Sequence, residues 1–263
     1  VPATTSTLKN FQALEVRTGT DAGVGADTTT VDASLVGGLT TILVRNEGQQ
    51  QVGGVWTSAA ETATVNLTKL SAAQAAGITA LHGTTGNNAT ASTTINATLG
   101  TDTAADLVTL TLGRDLNTDQ RFNLTLNAGN GTTNKVESVT LTDSDNESNT
   151  VKLGNVAVHT GTITLTGGVA GQFMNLDATA NELRLDQTGS VLPAAPADLV
   201  GFADPGAGAA ERIVAATIDA STSLNNNIVR VSQGATGVVG AQTITMGAGA
   251  DTVIFDAIST PAT

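Results

Sequence analysis

Leu107-Val108-Thr109-Leu110-Thr111-Leu112 decides the fold: an aliphatic side chain alternates with threonine at every second residue. That period of two places the aliphatics on one side of an extended chain and the hydroxyls on the other, as in a half-buried β-strand. Threonine suits the pattern because its β-branch favours the extended backbone while its hydroxyl meets water. The same texture returns in Phe122-Asn123-Leu124-Thr125-Leu126, in Val136-Glu137-Ser138-Val139-Thr140-Leu141-Thr142 and in Gly161-Thr162-Ile163-Thr164-Leu165-Thr166. Between these bursts stand Gly-Gly, Asn-Gly, Asp-Ser-Asp-Asn and Thr-Gly, residues that form turns. The chain therefore reads as mainly β.

One segment departs from the alternation. Leu70-Ser71-Ala72-Ala73-Gln74-Ala75-Ala76-Gly77-Ile78-Thr79-Ala80-Leu81 is alanine-rich, offers Ser71 as an N-cap and spaces Leu70, Ala73, Ala76 and Leu81 along one helical side. It predicts one short helix near residues 70–81, with a weaker candidate at 208–214. Leu192-Pro193-Ala194-Ala195-Pro196-Ala197-Asp198 reads as a loop, because proline cannot sit in a central strand. It divides a β-rich domain over 1–190, with its helical insertion, from a smaller β-rich segment over 191–263; one continuous domain is the alternative.

A loose repeat points to the architecture. Val31-Asp32-Ala33-Ser34, Leu176-Asp177-Ala178-Thr179 and Ile218-Asp219-Ala220-Ser221 share the order apolar, Asp, Ala, hydroxyl. Strands carrying Arg45, Arg184 and Arg230 follow them within a few residues. A recurring turn-plus-strand unit needs its neighbours to cover its apolar face, which predicts a β-solenoid, stacked β-sheet layers or a β-sandwich. Chance matching in a Thr/Ala/Asp-rich chain is the competing explanation.

Composition excludes several functions. The 263 residues include no Cys, no Tyr, one Trp, five Phe and two His, with 23 acidic against 11 basic side chains and a formal charge of −12. Thiol-ligated metal centres and disulfides are impossible, and His82 and His159 offer little for imidazole chemistry. An acidic chain without a basic stripe or stacking aromatics is not built for nucleic acid. No apolar run reaches the roughly 18 residues of a membrane span. Residues 1–6 lack the basic start and apolar core of a signal peptide. About one residue in six is Thr, yet the 40% apolar content argues against disorder.

Calcium has the best support among chemical readings. Met246-Gly247-Ala248-Gly249-Ala250-Asp251-Thr252-Val253 fits the repeat G-G-x-G-x-D-x-U with Met246 in place of the first Gly. In that repeat Gly247 and Gly249 allow a tight backbone turn, and Asp251 supplies a hard oxygen to a hard cation. Its alternative is a Gly-rich hairpin. Asp143-Ser144-Asp145-Asn146-Glu147 is the densest carboxylate cluster; Asp143, Asp145 and Glu147 either direct oxygens at one Ca²⁺ or decorate a solvated hairpin tip. Asp102/Asp106, Asp115/Asp119 and Asp21/Asp27 are weaker versions. Catalysis finds no nucleophile elbow, zinc helix motif or P-loop, and Trp56 alone cannot make a sugar platform, so no catalytic residue is assigned. Trp56 is placed at a packing contact or a subunit interface. Six sequons, at Asn66, Asn88, Asn96, Asn123, Asn130 and Asn146, follow from composition.

Leu8-Lys9-Asn10-Phe11-Gln12-Ala13-Leu14-Glu15-Val16, Thr30-Val31-Asp32-Ala33-Ser34-Leu35 and Gly38-Leu39-Thr40-Thr41-Ile42-Leu43-Val44 resemble the "x-F-E-x-L-x-V, V-D-A-S, G-L-T-x-L-x-V" texture of S-layer proteins. The family in question is the RTX-type, type I-secreted, calcium-binding class of Gram-negative bacteria, and residues 243–253 look like its repeat. The resemblance implies a non-enzymatic structural subunit of a secreted surface assembly, located outside the cell, with Ca²⁺ as its cofactor. Its partners would be further copies of itself and cell-surface polysaccharide, with neither nucleic acid nor membrane insertion. An adhesin stalk or a filament joined by strand donation is the alternative function. A polysaccharide-degrading or phage-fibre β-solenoid is the second alternative.

Overall fold

The computed structural model describes residues 8–18, 26–47, 49–52, 55–58, 62–81, 92–113, 123–129, 136–144, 149–154, 162–178, 217–232 and 243–256. The short strands β1 (Leu8–Lys9) and β4 (Val36–Gly37) pair in parallel beside the main body. One main sheet contains β2 (Ala13–Thr18), β5 (Thr41–Asn46), β9 (Ile78–Leu81), β11 (Leu107–Leu112), β13 (Ser138–Asp143), β15 (Thr162–Gly167), β17 (Thr217–Ser223) and β19 (Thr243–Thr245), in that spatial order. The other contains β3 (Ala26–Asp32), β8 (Thr62–Leu70), β10 (Ser92–Leu99), β12 (Asn123–Ala128), β14 (Asn149–Gly154), β16 (Phe173–Ala178), β18 (Asn226–Ser232) and β20 (Thr252–Asp256). All pairings within these two sheets are parallel.

From β8 to β20 the chain alternates between the two sheets, so each turn adds one strand to each. This is a β-solenoid of two stacked sheets, the mainly β class expected from the alternation. Apart from shifts between Ala97 and Leu99 and between Thr164 and Thr166, partners run in register along the stack: Val65 lies beside Ile95, Ile95 beside Leu126, and Leu126 beside Leu153. In the other sheet Ile42, Ile78, Leu110, Leu141 and Leu165 form a comparable row. These side chains point between the sheets and belong to one hydrophobic cluster. Each fully buried Leu or Ile stabilises the fold by roughly 1.5–3 kcal/mol. With aliphatics and alanines as its bricks, the core is thin and can be prolonged turn by turn.

Burial follows the alternation. Along β13, Val139, Leu141 and Asp143 are buried while Ser138, Thr140 and Thr142 are partly exposed. The strands beyond residue 191 continue the same sheets, β17 on β15 and β18 on β16. The candidate helix at 208–214, the Pro-rich stretch and Arg184 lie outside the described residues.

Two sequence expectations change. The helix occupies Ala72–Ala75 alone, although Ser71 caps it as expected: its hydroxyl accepts from Gln74 N–H while the Gln74 side chain accepts from Ser71 N–H. Leu70 closes β8, and Ile78–Leu81 is drawn into the sheet between β5 and β11, where Ile78 and Ala80 are buried. Gly77 and the β-branched Ile78 and Thr79 are weak helix formers, so the local sequence ends the helix and pairing with β5 and β11 completes a strand. The four-residue repeat is also not the structural repeat. Val31 opens its copy on β3 and Ile218 on β17, in opposite sheets. They share a local bend, in which Asp32 accepts from Ser34 N–H at 3.1 Å and Asp219 from Ser221 N–H at 2.9 Å. At Asp219 that bend coincides with a register shift against β15.

The remaining pair, β6 (Gln49–Val52) and β7 (Val55–Ser58), is an antiparallel hairpin outside the two main sheets, with Gln51 opposite Trp56. No helix among the described residues is long and apolar enough to cross a membrane.

Candidate functional site

Asp143 and Asp251 come from segments more than a hundred residues apart, yet both lie on the corner where the chain leaves one sheet for the other. Asp143 occupies the last inward register of β13, in the row after Ala80 and Leu112, and is only 4% exposed. Its carboxylate accepts from Asn225 Nδ2 at 2.6 Å and from Asn149 Nδ2 at 3.4 Å. Charge-assisted bonds of this kind satisfy a carboxylate that burial would otherwise destabilise. Asn225 reaches across the intervening strand because Gly167 and Gly168 stand there. Both have positive φ (80° and 87°), and a Cβ on Gly168 would lie 2.2 Å from Asn225 Oδ1.

The network continues to the second carboxylate. Asn225 Oδ1 accepts from Val169 N–H at 3.0 Å, and Asn225 C=O accepts from Asn227 Nδ2 at 3.1 Å. Asn227 then donates to Asp251 Oδ1 twice, from its backbone N–H and from Nδ2, both at 2.8 Å. Asn226 Oδ1 accepts from Ala250 N–H at 2.7 Å, tying the 246–251 corner to the turn beneath it. The result is a chain of amides and carboxylates running Asp143, Asn225, Asn227, Asp251. Asn225 and Asn227 are 1% and 0% exposed.

Gly247 and Gly249 serve this stacking directly. A Cβ on Gly247 would fall 2.2 Å from Ser223 C=O, and one on Gly249 2.1 Å from Asn225 C=O. The G-x-G spacing thus lets one corner settle on the carbonyls of the preceding corner, which is a backbone requirement independent of any ion. Neither segment is a hairpin: β13 to β14 and β19 to β20 are passages between sheets, because neighbouring strands within each sheet run parallel.

Asp145 and Glu147 lie outside the described residues, as do Asp21, Asp115, Asp119, His82 and His159. Among the described residues no group of three or more His, Asp or Glu side chains is gathered to hold a metal ion. Asp106 is buried and binds its own turn, accepting from Thr103 N–H at 2.8 Å. Of the sequons, Asn66 and Asn96 are engaged in an amide ladder on the outer face of the second sheet. Asn96 Nδ2 donates to Asn66 Oδ1 at 2.6 Å, and Asn127 Nδ2 to Asn96 Oδ1 at 2.7 Å. Side chains held this way are not presented as free glycosylation acceptors.

A second charged group sits at the other end of the stack. Glu15 accepts from Arg45 Nε at 2.8 Å and lies 3.1 Å from Arg17 Nε, while Glu47 lies 3.7 Å from Arg17. The Arg45 hydrogen bond, reinforced by Arg17, holds the Glu15 carboxyl below its ordinary value. Asp32 is lowered chiefly by Lys69, and Asp219 chiefly by Ser221.

Sequence reasoning singled out the two carboxylates and missed the asparagines between them. The available signal was the triplet Asn225-Asn226-Asn227 at the corner where β18 begins, together with the Gly167-Gly168 pair that clears the path of Asn225. No family model, curated protein or solved structure matches the chain.

Proposed function

We propose that the chain is a structural, non-catalytic subunit of a secreted bacterial surface assembly of the S-layer kind, self-associating outside the cell with stabilisation by Ca²⁺. The observation that carries this reading is the two-sheet solenoid with in-register rows along its length. Such a body is a regular rod of polar threonine faces over an aliphatic interior, suited to repeated lateral contact. The calcium part draws on Asp143 and Asp251 standing along the same edge of the stack, on separate turns joined through Asn225 and Asn227, with Gly247 and Gly249 beside Asp251. A cation at either carboxylate would displace an asparagine N–H donor, so affinity in the weak range typical of extracellular modules, about 10⁻⁴–10⁻³ M, is expected.

A second reading, an adhesin stalk or filament assembled by strand addition, draws on the sheet ends. In the described sheets β2, β3, β19 and β20 are terminal strands, each with one side unpaired in the sheet order.

Electron microscopy and thermal melting with and without Ca²⁺ test the proposal. Two-dimensional arrays that dissolve on chelation support it, and single fibres favour the stalk or filament. An unchanged array and melting temperature after exhaustive chelation remove the calcium part.

A further inference from the structure

We infer that the outer face of the sheet containing β9, β11, β13 and β15 is the surface through which two copies of this chain meet. This rests on the surface-assembly reading and specifies its contact. Two in-register rows define the face: Thr109, Thr140 and Thr164 in one, Thr111, Thr142 and Thr166 in the other. Each of these threonines is partly exposed. Pairing from β9 through β15 has no register shift. The hydroxyls therefore repeat about every 4.7–4.9 Å across strands and about 6.6 Å along them.

Charge selects the occupant. The chain carries −12 overall, so two copies repel unless they meet on a neutral surface. On this sheet the outward positions carry charge at Glu15, Arg17 and Arg45 on one flank and at Asp219 on the other. Across β9, β11, β13 and β15 the described outward side chains are uncharged. The opposite sheet is less suitable. Its row Thr64, Thr94, Thr125 runs into Lys152, and its asparagines are bonded to one another along the stack.

Short identical side chains on in-register parallel strands can interdigitate with an identical face across a dry zipper. A twofold axis makes the contact self-complementary. One strand of four residues and three of six present a footprint on the order of 300–400 Å². That is below the roughly 800 Å² per partner of a stable pair. Isolated pairs are therefore transient in dilute solution, and the contact gains strength through repetition in an array.

The test uses the full chain with Thr140→Lys and Thr140→Glu, and Thr94→Lys on the opposite sheet as control. Assembly is followed by sedimentation and electron microscopy, and folding by thermal melting. Each Thr140 variant alone is expected to lose arrays at an unchanged melting temperature, their equimolar mixture to regain them, and Thr94→Lys to assemble like the parent. Arrays from Thr140→Lys alone overturn this face while leaving the assembly reading intact. If a Thr140 variant melts early, failure of the mixture to recover arrays overturns it as well. Should the parent chain never assemble, with or without Ca²⁺, both readings fall. Arrays that require added cell-surface polysaccharide and still depend on Thr140 assign the face to glycan and overturn the second copy as occupant.

Discussion

Replacing Asn225 by alanine tests whether the corner network holds the stack together. The side chain is 1% exposed, donates to Asp143 Oδ2 at 2.6 Å and accepts from Val169 N–H at 3.0 Å. Its loss removes a hydrogen bond to a charged group, worth about 1.5–3 kcal/mol, and deprives a backbone N–H of its acceptor, worth about 1–3 kcal/mol. Water entering the space recovers part of this, so a net loss of about 2–4 kcal/mol is expected. Because a solenoid is stabilised turn by turn, the damage is local. Amide hydrogen exchange is the suitable assay: protection in β13, β15 and β17 should fall by roughly 30-fold to 1,000-fold, converting at 1.4 kcal/mol per tenfold. Protection in β5 and β8 should hold. A loss below about 1 kcal/mol, or equal loosening of both ends, would refute the assignment of a structural role to this network.

Four further outcomes follow from the same geometry. Leu110→Ala, at a fully buried position in the row between Ile78 and Leu141, should cost about 2–5 kcal/mol in chemical denaturation. Gly167→Ala places a Cβ 2.2 Å from Asp143 C=O at φ 80°; the left-handed conformation alone costs about 1–2 kcal/mol, and the clash adds to it, read as a lowered melting temperature. Asn96→Ala breaks two links of the amide ladder and should cost about 1–2 kcal/mol, whereas Asn96→Gln tests whether length as well as chemistry matters. Glu15 has a lowered folded-state pKa, so the unfolded chain binds its proton first as pH falls. Its contribution is fully present above the ordinary value of 4.5 and is lost as pH drops through the lowered folded value; Glu15→Gln should flatten the acid limb of a stability-against-pH curve.

The alternation in Leu107–Leu112 and its relatives determined the strands and which side of each is buried, because period-two patterning is a property of a single extended segment. It also supported a stacked β architecture, since such strands need neighbours. Parallel pairing was not legible in it: the alternating residues look alike in a hairpin and in a solenoid turn. What separates the two is whether the corner between strands returns to the same sheet or crosses to the other. Helix length was set partly by Gly77, Ile78 and Thr79, weak helix formers, and partly by β5 and β11 recruiting Ile78–Leu81 into the sheet. At the candidate site, the nonapeptide glycines fall on the corner between β19 and β20, and the carboxylates were visible by type. Only the tertiary structure joined Asp143 to Asp251, because nothing in the run Asn225-Asn226-Asn227 says which distant carboxylates its amides meet. Asn225 acts by reaching past Gly168 to Asp143, and Asn227 by bonding Asp251 on the following turn. Local sequence governs local backbone; the register of distant turns is set by which side chains can fill the shared interior together.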